Sequence, residues 1–144
     1  MIPDVLLTPL LAIEMPGGGI LRALKQSEKG YSGFGEAYFS QVDKGMIKAW
    51  KRHKKMKLNL IVPIGEIKFV LFDNREPNKE LFQEVILSKD NYCRLTIPPM
   101  IWVGFQGVHL NESIILNIAN IEHQSAEVDK KELNEINYDW GINL

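Results

Sequence analysis

An all-β fold, a sandwich or barrel in one domain, is predicted by three features of the sequence. Short apolar or alternating segments recur at intervals of about ten residues between Glu36 and Ala119. A turn signal separates each from the next: Asp43-Lys44-Gly45, Gly65, residues 74–78, Lys89-Asp90-Asn91, Pro98-Pro99 and Asn111-Glu112. No segment before Lys130 sustains a helical period.

Taken in order, Pro3-Asp4 is a turn and residues 5–7 form an apolar edge strand. Pro16-Gly17-Gly18-Gly19 is a loop, residues 20–24 are a short apolar stretch, and a glycine-punctuated connection runs to Gly35. Strands are then expected at 36–42, 46–50, 58–63, 67–73, 82–87, 92–97, 102–106 and 113–119, with one short helix at 130–136. Residues 1–35 thus read as a strand and loop arm on a single domain spanning 1–144. A barrel closes its sheet edges and leaves a mouth where a small ligand can sit.

Composition narrows the function classes. With 45% hydrophobic and 24% charged residues, the chain matches an ordinary globular domain long enough for a real core. A net charge of −1 argues against a general nucleic-acid binder. Positive charge is concentrated instead: six of the ten residues at 48–57 are Lys or Arg, while residues 122–139 are acidic. The single Cys93 excludes an internal disulfide framework, reads as a small buried hydrophobe, and fits a reducing compartment. The apolar run at 1–16 is broken by acidic and proline residues and lacks a basic leader, so neither a signal peptide nor a membrane span is expected. The expected location is cytoplasmic.

The order of short motifs resembles one family along nearly the whole chain. Ile2-Pro3-Asp4-Val5-Leu6 resembles an opening strand, and Gly45-Met46-Ile47-Lys48-Ala49-Trp50 a G-V-L-R-G-L segment. Gly65-Glu66, Asp73-Asn74-Arg75, Leu87-Ser88, Asn91, Ile97-Pro98 and Gly104-Phe105 follow at matching positions. Together they resemble the cupin-type nucleotide-sugar epimerases, the dTDP-4-dehydrorhamnose 3,5-epimerase family. The resemblance implies a cupin jelly-roll barrel without metal or redox cofactor, and a homodimer paired through the N-terminal strand and sheet edges. It also implies epimerisation at C3, C5 or both of a dTDP-4-keto-6-deoxyhexose. In that family a histidine just after L-R-G-L removes a proton alpha to the 4-keto group; Lys51 stands there, with His53 two residues on. The family's general-acid tyrosine falls on Asn117, its L-R-G arginine on Lys48, and its early nucleotide-binding arginine near Gly18. Longer members continue past the equivalent of residues 140–144, which implies that part of the usual lid, or an acidic partner of the base, is missing here.

Metal-binding cupins carry G-x5-H-x-H-x3-4-E-x6-G and P-x-G-x2-H. Here Gly45 and Gly65 fit, but the ligand positions read Lys51, His53, Leu58 and Val103. One ligand of four remains, too few for zinc or iron, so no metal is expected.

Lys51 and His53 share strand parity and face one side of the sheet. If that side is the barrel interior, His53 or a Lys51 of lowered pKa is the base; if the hairpin protrudes, the run is a solvated face. Lys48, Arg52, Lys54 and Lys55 are candidate diphosphate contacts, and Asp73 with Arg75 is an ion pair or a nucleotide contact. Trp50 and Trp102 stack on base or sugar, or pack in the core. Tyr38 and Tyr92 are alternative acids, though each reads first as structural or surface; His109 and His123 read as surface. Asn117 can hydrogen-bond a keto oxygen but cannot protonate one. Two function classes follow: a nucleotide-sugar isomerase, with loss of the family tyrosine pointing to one inverted carbon or a ketoisomerase-like outcome, and a catalytically silent cupin that binds a sugar nucleotide.

Overall fold

The computed structural model describes residues 1–141; the sequence expectation about the chain's last residues falls partly on 142–144, outside the described residues. Twelve strands are present among the described residues. In chain order they are β1 (Leu6–Pro9), β2 (Ala12–Ile13), β3 (Ile20–Leu21), β4 (Glu36–Val42), β5 (Ile47–His53), β6 (Leu58–Ile64), β7 (Glu66–Glu76), β8 (Lys79–Ser88), β9 (Cys93–Ile97), β10 (Trp102–Gly107), β11 (Ser113–Ala119) and β12 (Val128–Lys130). One sheet has the order β1-β9-β6-β11-β4 and the other β12-β5-β10-β7-β8, with β2 and β3 forming a separate hairpin. Two face-to-face antiparallel sheets with crossing connections make the jelly roll.

Every strand expected from the sequence is present: 36–42 and 113–119 keep their bounds, β9 is one residue shorter, and the others are longer by one to four residues. The helix expected at 130–136 is replaced by β12 and a 3-10 turn at Leu133–Glu135. Residues 130–136 are too polar to bury a helical face, and β5 offers an open edge that residues 128–130 complete. The N-terminal arm is only partly separate, because β1 pairs with β9 and becomes the edge of the first sheet.

Alternation along each strand sorts the side chains into two cores. Ile67, Phe69 and Leu71 of β7 point between the sheets and join Leu58, Leu60, Val62, Leu95, Ile97 and Ile115. Val70 and Phe72 point outward and join Trp50, Trp102, Ile136 and Trp140 in a second cluster. The second cluster exists because residues 131–140 fold back over the outer face of the second sheet. Gly104 permits that crossing: a Cβ there would lie 2.8 Å from the Ala49 Cβ and 2.9 Å from the Trp140 ring.

β9 is buried along its whole length because residues 22–35 cover its outer side. Arg94, fully buried, donates to Ala23 O at 2.8 Å and Lys29 O at 3.3 Å, and Asn59 donates to Gly30 O at 3.2 Å. Gly30 has φ +106° and lies against Thr96, so no residue with a side chain fits easily.

Candidate active site

Apolar packing fills one end of the space between the sheets and leaves a cavity of about 890 Å³ at the other. Leu58, Leu60, Phe69, Val103, Phe105 and Ile115 form its apolar walls. Its polar wall on the second sheet comes from β5 and β12. Val103 lies opposite Lys51 and Phe105 opposite Lys48, so two steps along β10 match three along β5. The extra residue, a bulge at Ala49-Trp50, brings Lys48 to the same face as Lys51 and His53 although its parity differs. β12 sets Val128 opposite His53 and Lys130 opposite Lys51. Lys48, Lys51 and Lys130 therefore form a cationic wall beside His53. Burial and the charges of Lys130 and Lys48 hold the Lys51 ammonium below the usual lysine range.

His53 has a carboxylate partner that the sequence did not disclose. Its Nδ1 is hydrogen-bonded to Oε1 of Glu127, which is 4% exposed. Oε2 of Glu127 accepts from the Lys55 N–H at 3.0 Å and the Met56 N–H at 3.3 Å. Lys54 N–H also donates to the Glu127 carbonyl at 2.8 Å, locking the 3-10 turn Ser125–Glu127 onto the end of β5. Burial alone would push the Glu127 carboxyl up; the bonds from His53, Lys55 and Met56 outweigh it and hold the pKa below the ordinary glutamate value. An ionised carboxylate only accepts, so Nδ1 donates, and in the neutral imidazole the lone pair is therefore on Nε2.

On the facing sheet, Tyr38 of β4 and Asn117 of β11 are register partners, and both line the cavity. Asn117 Nδ2 donates to Tyr38 Oη at 3.0 Å, so the phenol oxygen accepts there and its own proton is available to another acceptor. Asn117 is 3% exposed, and its Oδ1 has no partner among the described residues. From the sequence Tyr38 reads first as structural or surface. Its inward parity on β4, alternating with the exposed Ala37 and Phe39, was the available clue.

Of the residues singled out from the sequence, His53, Lys51, Asn117, Lys48 and Tyr38 meet in this cavity, with Trp50 and His123 at its margin. The remaining ones are placed elsewhere. Arg52 points to the outer face, where it pairs with Asp129 at 2.8 Å and covers the Trp102 ring at 4.7 Å. Lys55 gives only its backbone N–H to Glu127; its side chain is exposed and off the cavity wall. Trp50 touches the cavity boundary, but its indole is 1% exposed in the second core and donates to Leu133 O at 3.2 Å, so it has no stacking face to offer. Trp102 is in the same core. Arg75 lines a separate small cavity, bonded to Asp73 at 2.9 Å and to Pro3 O at 3.1 Å, where it fastens the N-terminus. Tyr92 donates to Arg22 O at 2.7 Å, away from the site, while His123 stands at the cavity rim. Among the described residues no three His, Cys, Asp or Glu side chains converge as metal ligands do.

The architecture has close counterparts. A dTDP-sugar isomerase of Desulfovibrio desulfuricans superposes with a TM-score of 0.87 at 34% identity, over 92% of this chain and 86% of that one. This chain belongs to that family. The Legionella pneumophila dTDP-6-deoxy-D-glucose-3,5-epimerase in complex with dTDP-4-keto-L-rhamnose shares the fold: TM-score 0.80 at 16% identity, over 92% of this chain and 75% of that one. A probable low-salt glycan biosynthesis epimerase of Haloferax volcanii is 26% identical over 84 residues, 56% of this chain. That match spans 54%, about half, of the Haloferax protein. No family model matches the chain.

Proposed function

We propose that the protein is an isomerase of a nucleotide-linked 4-keto-6-deoxyhexose, moving protons on carbons next to the carbonyl. The observation that carries this reading is the pairing of two proton-transfer groups across one cavity: His53 oriented by Glu127 on one sheet, Tyr38 held by Asn117 on the other. The family relationship supports the substrate class.

In this reading the sugar lies between the sheets. His53 Nε2 removes the proton at C3 or C5, which the 4-keto group acidifies. Electron density moves toward the group on C4, where the positive charge of the cavity wall stabilises it. Tyr38 returns a proton from the opposite side, which inverts the carbon. The unpartnered Asn117 Oδ1 accepts a sugar hydroxyl, and the diphosphate extends along Lys48 and Lys130. No metal or redox cofactor takes part.

Because Asn117 stands at the family's acid position and Tyr38 of β4 faces His53 in its place, we assign the chain one epimerisation rather than two. Incubation with dTDP-4-keto-6-deoxyglucose in heavy water, followed by proton NMR, tests this. Loss of the C3 or C5 signal with formation of one inverted product supports the reading; binding in calorimetry with both signals intact assigns the cavity to a silent sugar-nucleotide binder. The reading includes a homodimer, supported by the apolar side chains exposed on β1, β3 and β4, Leu7, Ile20, Leu21 and Phe39. Light scattering should give twice the chain mass, and a monomer would remove this part.

A further inference from the structure

We propose that Lys51 is a covalent catalyst: its Nζ condenses with the carbonyl carbon of the keto-sugar, and His53 breaks the C–H bond next to the resulting iminium. This rests on the isomerase reading above and specifies how the carbonyl is activated.

Three features of the cavity carry the inference. Lys51 and His53 are two residues apart on β5 and face the same cavity, so an amine and a base approach adjacent carbons of one ligand. Lys51 is also surrounded by its own charge. Lys130 is its register partner on β12, and the β5 bulge brings Lys48 to the same wall. Finally, among the described residues no carboxylate lies within ion-pairing distance of Lys51, whereas the neighbouring Arg52 is paired with Asp129 on the opposite face. An ammonium that shares one cavity wall with two others gives up its proton more readily, and partial burial with the two lysine charges lowers its pKa accordingly. Desolvation next to cationic groups is the setting in which a lysine amine becomes a nucleophile toward carbonyls. The neighbouring carboxylate that would keep Lys51 protonated is spent instead on His53.

The chemistry balances without a redox partner. The neutral amine adds to C4 to give a carbinolamine, which loses its oxygen as water and leaves a protonated imine. His53 takes the proton from C3 or C5; the C–H bonding pair forms a C=C bond to C4 and the C=N π pair moves to the nitrogen, giving an enamine. Tyr38 donates a proton to the opposite face of the same carbon. Water then adds to the imine and releases the 4-keto product and free Lys51. The proton taken by His53 and the one given by Tyr38 are re-equilibrated with solvent.

Sodium cyanoborohydride, which reduces iminium ions in preference to ketones, gives the test. The full chain is incubated with dTDP-4-keto-6-deoxyglucose and the reductant, and intact mass is read alongside deuterium exchange. The proposal predicts a single adduct equal to the substrate less one oxygen atom, mapped to the peptide carrying Lys51. Lys51→Arg, which keeps the charge, should lose adduct and exchange together while melting as the parent does; Lys55→Arg, outside the cavity, should keep both. Exchange without an adduct, or undiminished exchange in Lys51→Arg, overturns the iminium and leaves the isomerase reading standing. Absence of both adduct and exchange in the parent chain overturns the two together.

Discussion

Replacing Glu127 by Gln should separate the orientation of His53 from the stability of the loop that holds it. Glu127 accepts three hydrogen bonds, one from His53 and two from the backbone N–H groups of Lys55 and Met56. Gln keeps one oxygen, enough for both N–H groups, but turns an NH2 toward His53. The imidazole must then accept at Nδ1 and carry its proton on Nε2, where the base is needed. A comparable tautomer error in serine-protease triads costs about four orders of magnitude. Here we expect exchange to fall about 10²–10⁴-fold, or about 3–5 kcal/mol of barrier. Stability should drop by only about 1 kcal/mol, the value of charge assistance in these bonds. Glu127→Ala leaves both N–H groups unpaired and should cost about 2–5 kcal/mol in urea unfolding. Exchange is read by NMR and unfolding by fluorescence. Parent-like exchange in Glu127→Gln would refute the role given to His53, because the base would then be indifferent to its tautomer.

Tyr38→Phe should uncouple the two half-reactions: proton abstraction by His53 persists as washout of the C–H signal, while formation of inverted product falls about 10²–10⁴-fold. Equal loss of both would show that Tyr38 is structural. Trp50→Ala removes the centre of the second core and should cost about 3–5 kcal/mol in urea unfolding; a nucleotide-stacking role would instead raise Kd with stability unchanged. In acid, the Glu127 and Asp73 carboxyls are both depressed by their partners despite burial. Their contribution to stability is therefore complete above the ordinary carboxyl pKa of about 4 and is lost as pH falls through the depressed native values. Unfolding free energy should be level above about pH 5 and decline below about pH 4, less steeply in Glu127→Gln.

The strands were legible because each combines alternation with a turn residue, as at Asp43-Lys44-Gly45 and Gly65, and these are local properties. The parity of Lys51 and His53 was equally local, and it survives in β5. What sequence reading could not supply was any fact that depends on two distant segments meeting. The basic run at 48–57 looked uniform, yet β5 divides it: Lys48 and Lys51 face the cavity, and Arg52 turns outward to Asp129. The bulge that places Lys48 is a register event between β5 and β10, invisible in either strand alone. Glu127 lies 74 residues from His53 in an acidic stretch that reads as solvated tail. Trp50 sits in a catalytic-looking motif, but residues 131–140 cover it. No family motif marks Tyr38 as an acid, so it reads first as structural or surface, and only the ladder shows Asn117 opposite it.

The central claim is that His53 takes a proton from a carbon beside the carbonyl. It is tested most directly by measuring deuterium incorporation into dTDP-4-keto-6-deoxyglucose by the parent chain and by His53→Asn, with binding followed by calorimetry in the same buffer. The account predicts incorporation at C3 or C5 by the parent, none above the uncatalysed rate by His53→Asn, and similar affinity in both. Incorporation by His53→Asn at the parent rate would contradict it.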